Sequence, residues 1–311
     1  PAIISMYLGD DLGELVDSII NDREYVSKGK QKMRTGVDVL PDFMKDTSDR
    51  NRTSPFAFTG NKFEFRALGS SLNIACPNYM LNTMLAEELS EFYDELKDAD
   101  DMDAAIKALV KKVFTEHQNI IFNGNNYAPE WVEEAERRGL PNIQSTIEAA
   151  PTLTTDKAVK LFEKFGIFTR VELESREEII YETYAKTINI EALTMIDMAG
   201  KDIIPAVAAY TGELANTVVT VKEAGAPATA QTELLVEVDS LLAEAKKALK
   251  HLEECTVHAN KIENAKERAF YYKDVVDVAM TALRKPVDKL EMLVDSDIWP
   301  MPTYGRLMFE I

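Results

Sequence analysis

The sequence predicts an α+β protein, mostly α: a partial antiparallel sheet with flanking helices, followed by a long antiparallel helical bundle. Three observations carry this. Lys62-Phe63-Glu64-Phe65-Arg66 alternates polar and aromatic residues, the two-residue period of a strand. Between that strand and about residue 171, short helical patterns are broken repeatedly by Gly and Pro. From Glu172 onward Gly and Pro become rare and the apolar spacing stays helical over long runs. The expected division is therefore 1–171 and 172–311.

In chain order, Leu12, Leu15, Val16, Ile19 and Ile20 form one stripe and predict a short helix. Arg23 to Gly36 reads as a basic loop carrying Lys28, Lys30, Lys32 and Arg34, and Val37 to Leu40 as a strand ended by Pro41. Thr59-Gly60-Asn61 is a turn signal between two strands. Pro77 suits the first turn of a helix made amphipathic by Leu81, Met84, Leu85, Glu88, Leu89, Phe92 and Leu96. A helix from Asp103 to Ile121 would turn Ile106, Leu109, Val110, Val113, His117 and Ile120 inward. Asn123-Gly124-Asn125-Asn126 breaks the chain, and short helices at Glu130–Arg138 and Asp156–Phe165 end at Gly139 and Gly166. Three long helices follow: 172–222, kinked rather than ended at Pro205; 229–262; and 265–294, with Gly225-Ala226-Pro227 as the first link. Ile298-Trp299-Pro300-Met301-Pro302 cannot be helical and is an apolar tail that should pack back onto the protein.

The chain of 311 residues has net charge −18, which argues against a nucleic-acid or anionic-membrane partner. No run of about 18 apolar residues predicts a membrane span. The two cysteines, Cys76 and Cys255, read as reduced thiols of a cytoplasmic protein, with Cys76 expected in buried packing. His251 and His258 lie seven residues apart, whereas a zinc pair on a helix usually takes a four-residue spacing, so both read as ordinary surface or packing residues.

Against the acidic background, the 18-residue window from Asp49 to Arg66 is locally basic. Arg50, Arg52, Lys62 and Arg66 oppose only Asp49 and Glu64. A strand at 62–66 sends Lys62, Glu64 and Arg66 to one face and the two phenylalanines to the other. Cations gathered around one carboxylate suit an anion together with a metal ion. A surface salt-bridge ladder has the same pattern, and the pattern alone leaves both readings open.

Asn51-Arg52-Thr53, then the Glu64-x-Arg66 strand, then Cys76-Pro77-Asn78-Tyr79-Met80-Leu81 opening a helix, resembles the active-site sheet of glutamine synthetases. The window as a whole is similar to the type III branch, found mainly in bacteria, as are the stretch from Lys186 to Met198 and the ending Trp299-Pro300-Met301-Pro302-Thr303-Tyr304-Gly305. The resemblance implies ATP-dependent amidation of glutamate by ammonia through γ-glutamyl phosphate, with Mg²⁺ or Mn²⁺. It implies catalytic roles for Arg52, matching the arginine on the transferred phosphate, and for Arg66, matching the arginine that meets glutamate and the phosphoryl group. Glu64 matches the carboxylate of the nucleotide-side metal. Lys62 falls where other branches place an arginine near the nucleotide.

Two departures stand out: a family arginine falls on Ala57, and the span from Asn51 to Glu64 is shorter than in the better-known bacterial branch. Arg50 either replaces the missing charge toward the nucleotide or pairs with Asp49. The resemblance further implies a dodecamer of two stacked hexameric rings. Because Pro1 is not an initiator methionine, it implies a preceding portion holding a small β-grasp domain and most metal-binding carboxylates. These 311 residues would then be a piece of the synthetase, inactive alone. The alternative is a non-catalytic helical interaction or regulatory module derived from a synthetase.

Overall fold

A computed structural model describes residues 3–26, 32–33, 43–44, 53–70 and 72–309. The chain divides into two compact units, 1–149 with 155–170, and 150–154 with 171–311. None of the described helices is long and apolar enough to cross a membrane.

In the first unit the sheet is mixed. β1 (Met6–Tyr7) runs parallel to β4 (Phe56–Phe58), and β4 is antiparallel to β5 (Phe63–Phe65), in the order β1-β4-β5. The expected antiparallel pair is therefore β4–β5, and a parallel strand from the start of the chain extends it. Between them, β2 (Lys32–Met33) and β3 (Phe43–Met44) form a separate antiparallel pair. The strand expected at 37–40 lies outside the described residues.

Around the sheet stand α1 (Asp10–Ile20), α2 (Ala75–Leu96), α3 (Met102–His117), α4 (Pro129–Arg137), α5 (Thr146–Ala149) and α6 (Asp156–Lys164). Helix α4 has Pro129 in its first turn, where a missing N–H costs nothing, and buries Trp131 and Ala135 against Ile3. Asn123 fastens the break after α3 to the start of the chain: its Oδ1 accepts the Leu8 and Gly9 amides at 3.0 and 3.1 Å.

Three expectations for this unit need correction. Met84, Leu85 and Leu89 of α2 are exposed, and the buried residue of that helix is Thr83. Helical spacing shows that residues share a face, not that a partner covers that face. Along α3 only Leu109 is buried; Ile106 and His117 are exposed. Cys76 is exposed rather than packed inside, with its Sγ 3.2 Å from the Tyr79 hydroxyl, because the first turn of α2 lies at the surface.

The second unit is the expected three-segment bundle. Its first segment runs from α7 (Arg170–Met198) through a π-helical turn (Ala199–Ile203) into α8 (Ile204–Glu223). Pro205 thus interrupts but does not end the helix. The wide turn before it, closed by the Ile204 amide on the Ala199 carbonyl, accommodates a residue that has no N–H to give. Gly225, at φ 87°, turns the chain into α9 (Thr229–Ala259). The third segment is α10 (Ala265–Tyr271), a second π turn (Tyr272–Val276) and α11 (Asp277–Glu291).

Helix α9 packs against both α8 and α11. Ala185, Ala192 and Ala199, spaced by seven, let the backbones approach closely around Leu252, Cys255, Val276 and Leu283. A second core holds Val207, Val238, Leu241, Ala245, Leu290 and Trp299. Trp299 is the folded-back apolar tail, as expected, whereas Tyr304 in the terminal α12 (Tyr304–Phe309) is exposed. Between the two ends of α9 and α10, the buried Tyr272 hydroxyl lies 2.8 Å from Asn189 Oδ1 and 3.0 Å from Asn260 Oδ1, a small polar network inside the bundle.

Candidate functional site

The β4–β5 hairpin closes at Thr59, whose amide donates to the Lys62 carbonyl at 2.8 Å, and Gly60 takes φ 93° in the turn. Register pairs Phe56 with Phe65, Ala57 with Glu64 and Phe58 with Phe63. The aromatic residues gather on one side, with Phe56 stacked on Phe63 at 5.6 Å between ring centres. On the other side Lys62, Glu64 and Arg66 meet, as the alternation predicts. Lys62 Nζ stands 3.2 Å from Glu64 Oε1, and Arg66 donates from Nη2 at 2.8 Å and from Nε at 3.2 Å to Glu64 Oε2. The two cations, Arg66 first and then Lys62, hold the Glu64 carboxyl below its usual range. The group is well hydrated: the Lys62 side chain is 65% exposed and that of Glu64 36%.

Arg50 and Arg52 lie outside the described residues, so three of the five residues singled out in the sequence are seen together. These three have the geometry of a salt-bridge ladder, which at this exposure contributes little to the stability of the fold. Stability gives little reason for the arrangement. As a ligand set, Glu64 fits a hard divalent ion through one carboxylate, but such ions take about six oxygens. Among the described residues no group of three or more His, Cys, Asp or Glu side chains is placed to hold a metal. Glu64 would be one ligand among several, the others coming from outside these residues.

Arg66 also borders a cleft of about 660 Å³, walled by Ile3, Ser54, Asn126, Tyr127 and Val132 among others. Ser54 is 2% exposed. Asn126 donates its amide to the Ser5 hydroxyl at 2.6 Å. Neither Ser54 nor Asn126 stands out in the sequence. Ser54 precedes Pro55 in an unremarkable turn, and Asn126 belongs to an asparagine-rich break that reads only as punctuation.

A family model described as the glutamine synthetase C-terminal domain matches residues 105–222. Along its whole length the chain is 38% identical to a glutamine synthetase of Butyrivibrio fibrisolvens. Over 99% of its length it is 38% identical to a type-3 glutamine synthetase of Dictyostelium discoideum, and 34% identical to a glutamine synthetase of Bacteroides fragilis.

Along its whole length the chain is similar to a part of glutamine synthetases.

It spans 45%, 43% and 44% of the length of those three synthetases, so it corresponds to a part of each. The synthetase match covers both compact units, including the charged hairpin and the bundle.

Proposed function

We propose that the protein carrying this chain is a type III glutamine synthetase that uses ATP and Mg²⁺ or Mn²⁺ to amidate glutamate with ammonia. The observation that carries this reading is the Glu64 carboxylate held between Lys62 and Arg66, with Arg66 at the border of a cleft. The reaction first places a phosphoryl group on the side-chain carboxylate of glutamate, and ammonia then displaces phosphate. Both steps build negative charge on phosphoryl oxygens, and the catalytic demand is for fixed cations facing those oxygens.

Arginine meets that demand because its planar guanidinium stays charged and grips a carboxylate or phosphate in two places. Arg66 would neutralise the reacting carboxylate and the phosphoryl group, Arg52 would hold the transferred phosphate, and Lys62 and Arg50 would lie toward the nucleotide. A divalent ion, when bound, neutralises phosphate charge; Glu64 would give it one oxygen. The described residues bring together too few ligands for such an ion, so turnover is expected to need further carboxylates.

The bundle would serve assembly rather than chemistry. Its described helices bring together no metal ligands, and Ile179, Ile190, Val236 and Val278 present apolar side chains outward, which suits contacts between subunits. The reading includes a homo-oligomer, a double-ring dodecamer in the cytoplasm, supported by these outward apolar side chains and by the family resemblance. The test is phosphate release by the complete gene product supplied with glutamate, ammonium, ATP and Mg²⁺. Arg66→Ala should lower turnover by about 10²–10³-fold, the usual loss for a donor acting on developing charge, with little change in thermal stability. An Arg66→Ala enzyme with normal turnover would restore the salt-bridge-ladder reading and leave a non-catalytic module as the better description.

A further inference from the structure

The bundle unit ends in an apolar helix that the described residues leave uncovered. Tyr304, Leu307, Met308 and Phe309 of α12 are 83%, 65%, 66% and 79% exposed. Tyr304, Leu307 and Met308 fall at i, i+3 and i+4, the spacing of side chains that enter a groove together. The same end of the bundle carries a groove of about 530 Å³ on α9 and the end of α11, lined by Thr232, Glu233, Val236, Glu237, Leu241 and Lys289 among others. Val236 is 63% exposed, whereas Leu241 belongs to the core that holds Trp299, shortly before α12 begins. An apolar helix and an unfilled groove thus lie close together at one end of the unit.

We infer that α12 of one copy seats in the α9–α11 groove of a second copy, and that α12 of the second copy seats in the groove of the first. The inference rests on the assembly reading above and deepens it by naming the two surfaces and the partner. Charge fits the pairing. The groove carries a net −1, Glu233 and Glu237 against Lys289, and Arg306 is the charged residue of α12. Arg306 donates to Asp297 at 3.0 Å, but Asp297 is 86% exposed, and an exposed pair of this kind is exchanged for a carboxylate at the groove at little cost. The single chain does not fill its own groove: Trp299 is anchored in the core, Arg306 is held at Asp297, and the apolar face of α12 stays in water. A foreign helix in the groove would leave α12 just as exposed. A second copy related by a two-fold axis covers both surfaces twice over and leaves no free end.

Light scattering on the complete gene product tests this, with circular dichroism to follow folding. Leu307→Asp with Met308→Asp puts charge on a face that is already exposed, so helix content should be unchanged while the particle mass falls to half or less at equal concentration. Glu233→Lys with Glu237→Lys, on the groove side, should lower the mass in the same way. Co-expressing a chain that carries Val236→Cys with a differently tagged chain that carries Met308→Cys should give, under mild oxidation, a disulfide-linked pair of unlike chains. An oligomeric wild type whose mass survives the tail substitutions would overturn the inference while leaving the assembly reading intact. So would a mass that falls with the tail substitutions but not with the groove substitutions, since α12 would then seat elsewhere. A disulfide that forms only when both cysteines are on one chain would overturn it in favour of α12 closing on its own groove. Loss of helix in the tail variant would also overturn it, because the exposed face would then have a structural role. A wild type with the mass of a single chain would remove the assembly reading and this inference together.

Discussion

The charged hairpin and the helical bundle solve opposite problems. In the bundle, the residues that matter are hidden: Leu252, Val276 and Leu283 are almost wholly buried, and small alanines at seven-residue spacing let the helices close on them. The hairpin instead keeps its charges in water. Lys62, Glu64 and Arg66 gain little stability from one another at that exposure, yet the strand alternation sets all three on one face, and Arg66 borders a cleft. Removing side chains should therefore cost the bundle stability and the hairpin chemistry. A protein in which both regions responded alike would break this division.

The largest effect on stability is expected at the bundle core. Leu252→Ala removes a wholly buried side chain between helices and should destabilise the protein by about 2–5 kcal/mol in chemical denaturation, the spread reflecting how far the site can collapse. A loss well under 1 kcal/mol would mean that the bundle is looser than its packing indicates.

Smaller, and specific to the polar network, is Tyr272→Phe. It strips from Asn189 and Asn260 a hydroxyl whose single proton serves one amide oxygen at a time, and should cost about 0.5–1.5 kcal/mol, the net worth of one intramolecular hydrogen bond. Adding Asn189→Leu to this change should recover part of the loss, since an apolar pair needs no hydrogen bond. If Tyr272→Phe leaves stability unchanged, water already serves the two asparagines.

The smallest effect sharpens the contrast from the hairpin's own unit. Glu134 is held at about 2, well under its ordinary 4.5, by hydrogen bonds from Arg137 and then Arg138. Since the folded protein lowers this pKa, the ion pairs stabilise fully above 4.5 and their contribution is lost as pH falls toward 2. In Glu134→Gln that part of the acid dependence should disappear from the unfolding curves, with no change near neutral turnover. Parallel acid profiles for the two proteins would place the acid sensitivity elsewhere.

How much could be read from sequence also differs between the regions. The bundle was legible nearly helix by helix, because long apolar periodicity with few Gly or Pro has few other solutions, and the continuation through Pro205 followed from spacing that resumed at Val207 and Tyr210. The side chains of Lys62, Glu64 and Arg66 were legible because a strand has only two faces. What failed was burial along α2 and α3: periodicity names the apolar face at Met84, Leu85 and Leu89 but says nothing of what covers it. Ser54 and Asn126 were illegible for another reason. Each carries a buried polar atom without a partner, in residues more than fifty positions apart that line one cleft, and no local pattern records that.

The central claim, that the hairpin carboxylate works in chemistry rather than in holding the fold, is tested most directly by titrating Mg²⁺ against phosphate release in the complete gene product and in its Glu64→Ala variant. The account predicts that the variant needs a markedly higher Mg²⁺ concentration for half-maximal rate, while its melting temperature matches the wild type. Superimposable Mg²⁺ titrations, or a fall in melting temperature with normal metal dependence, would contradict it.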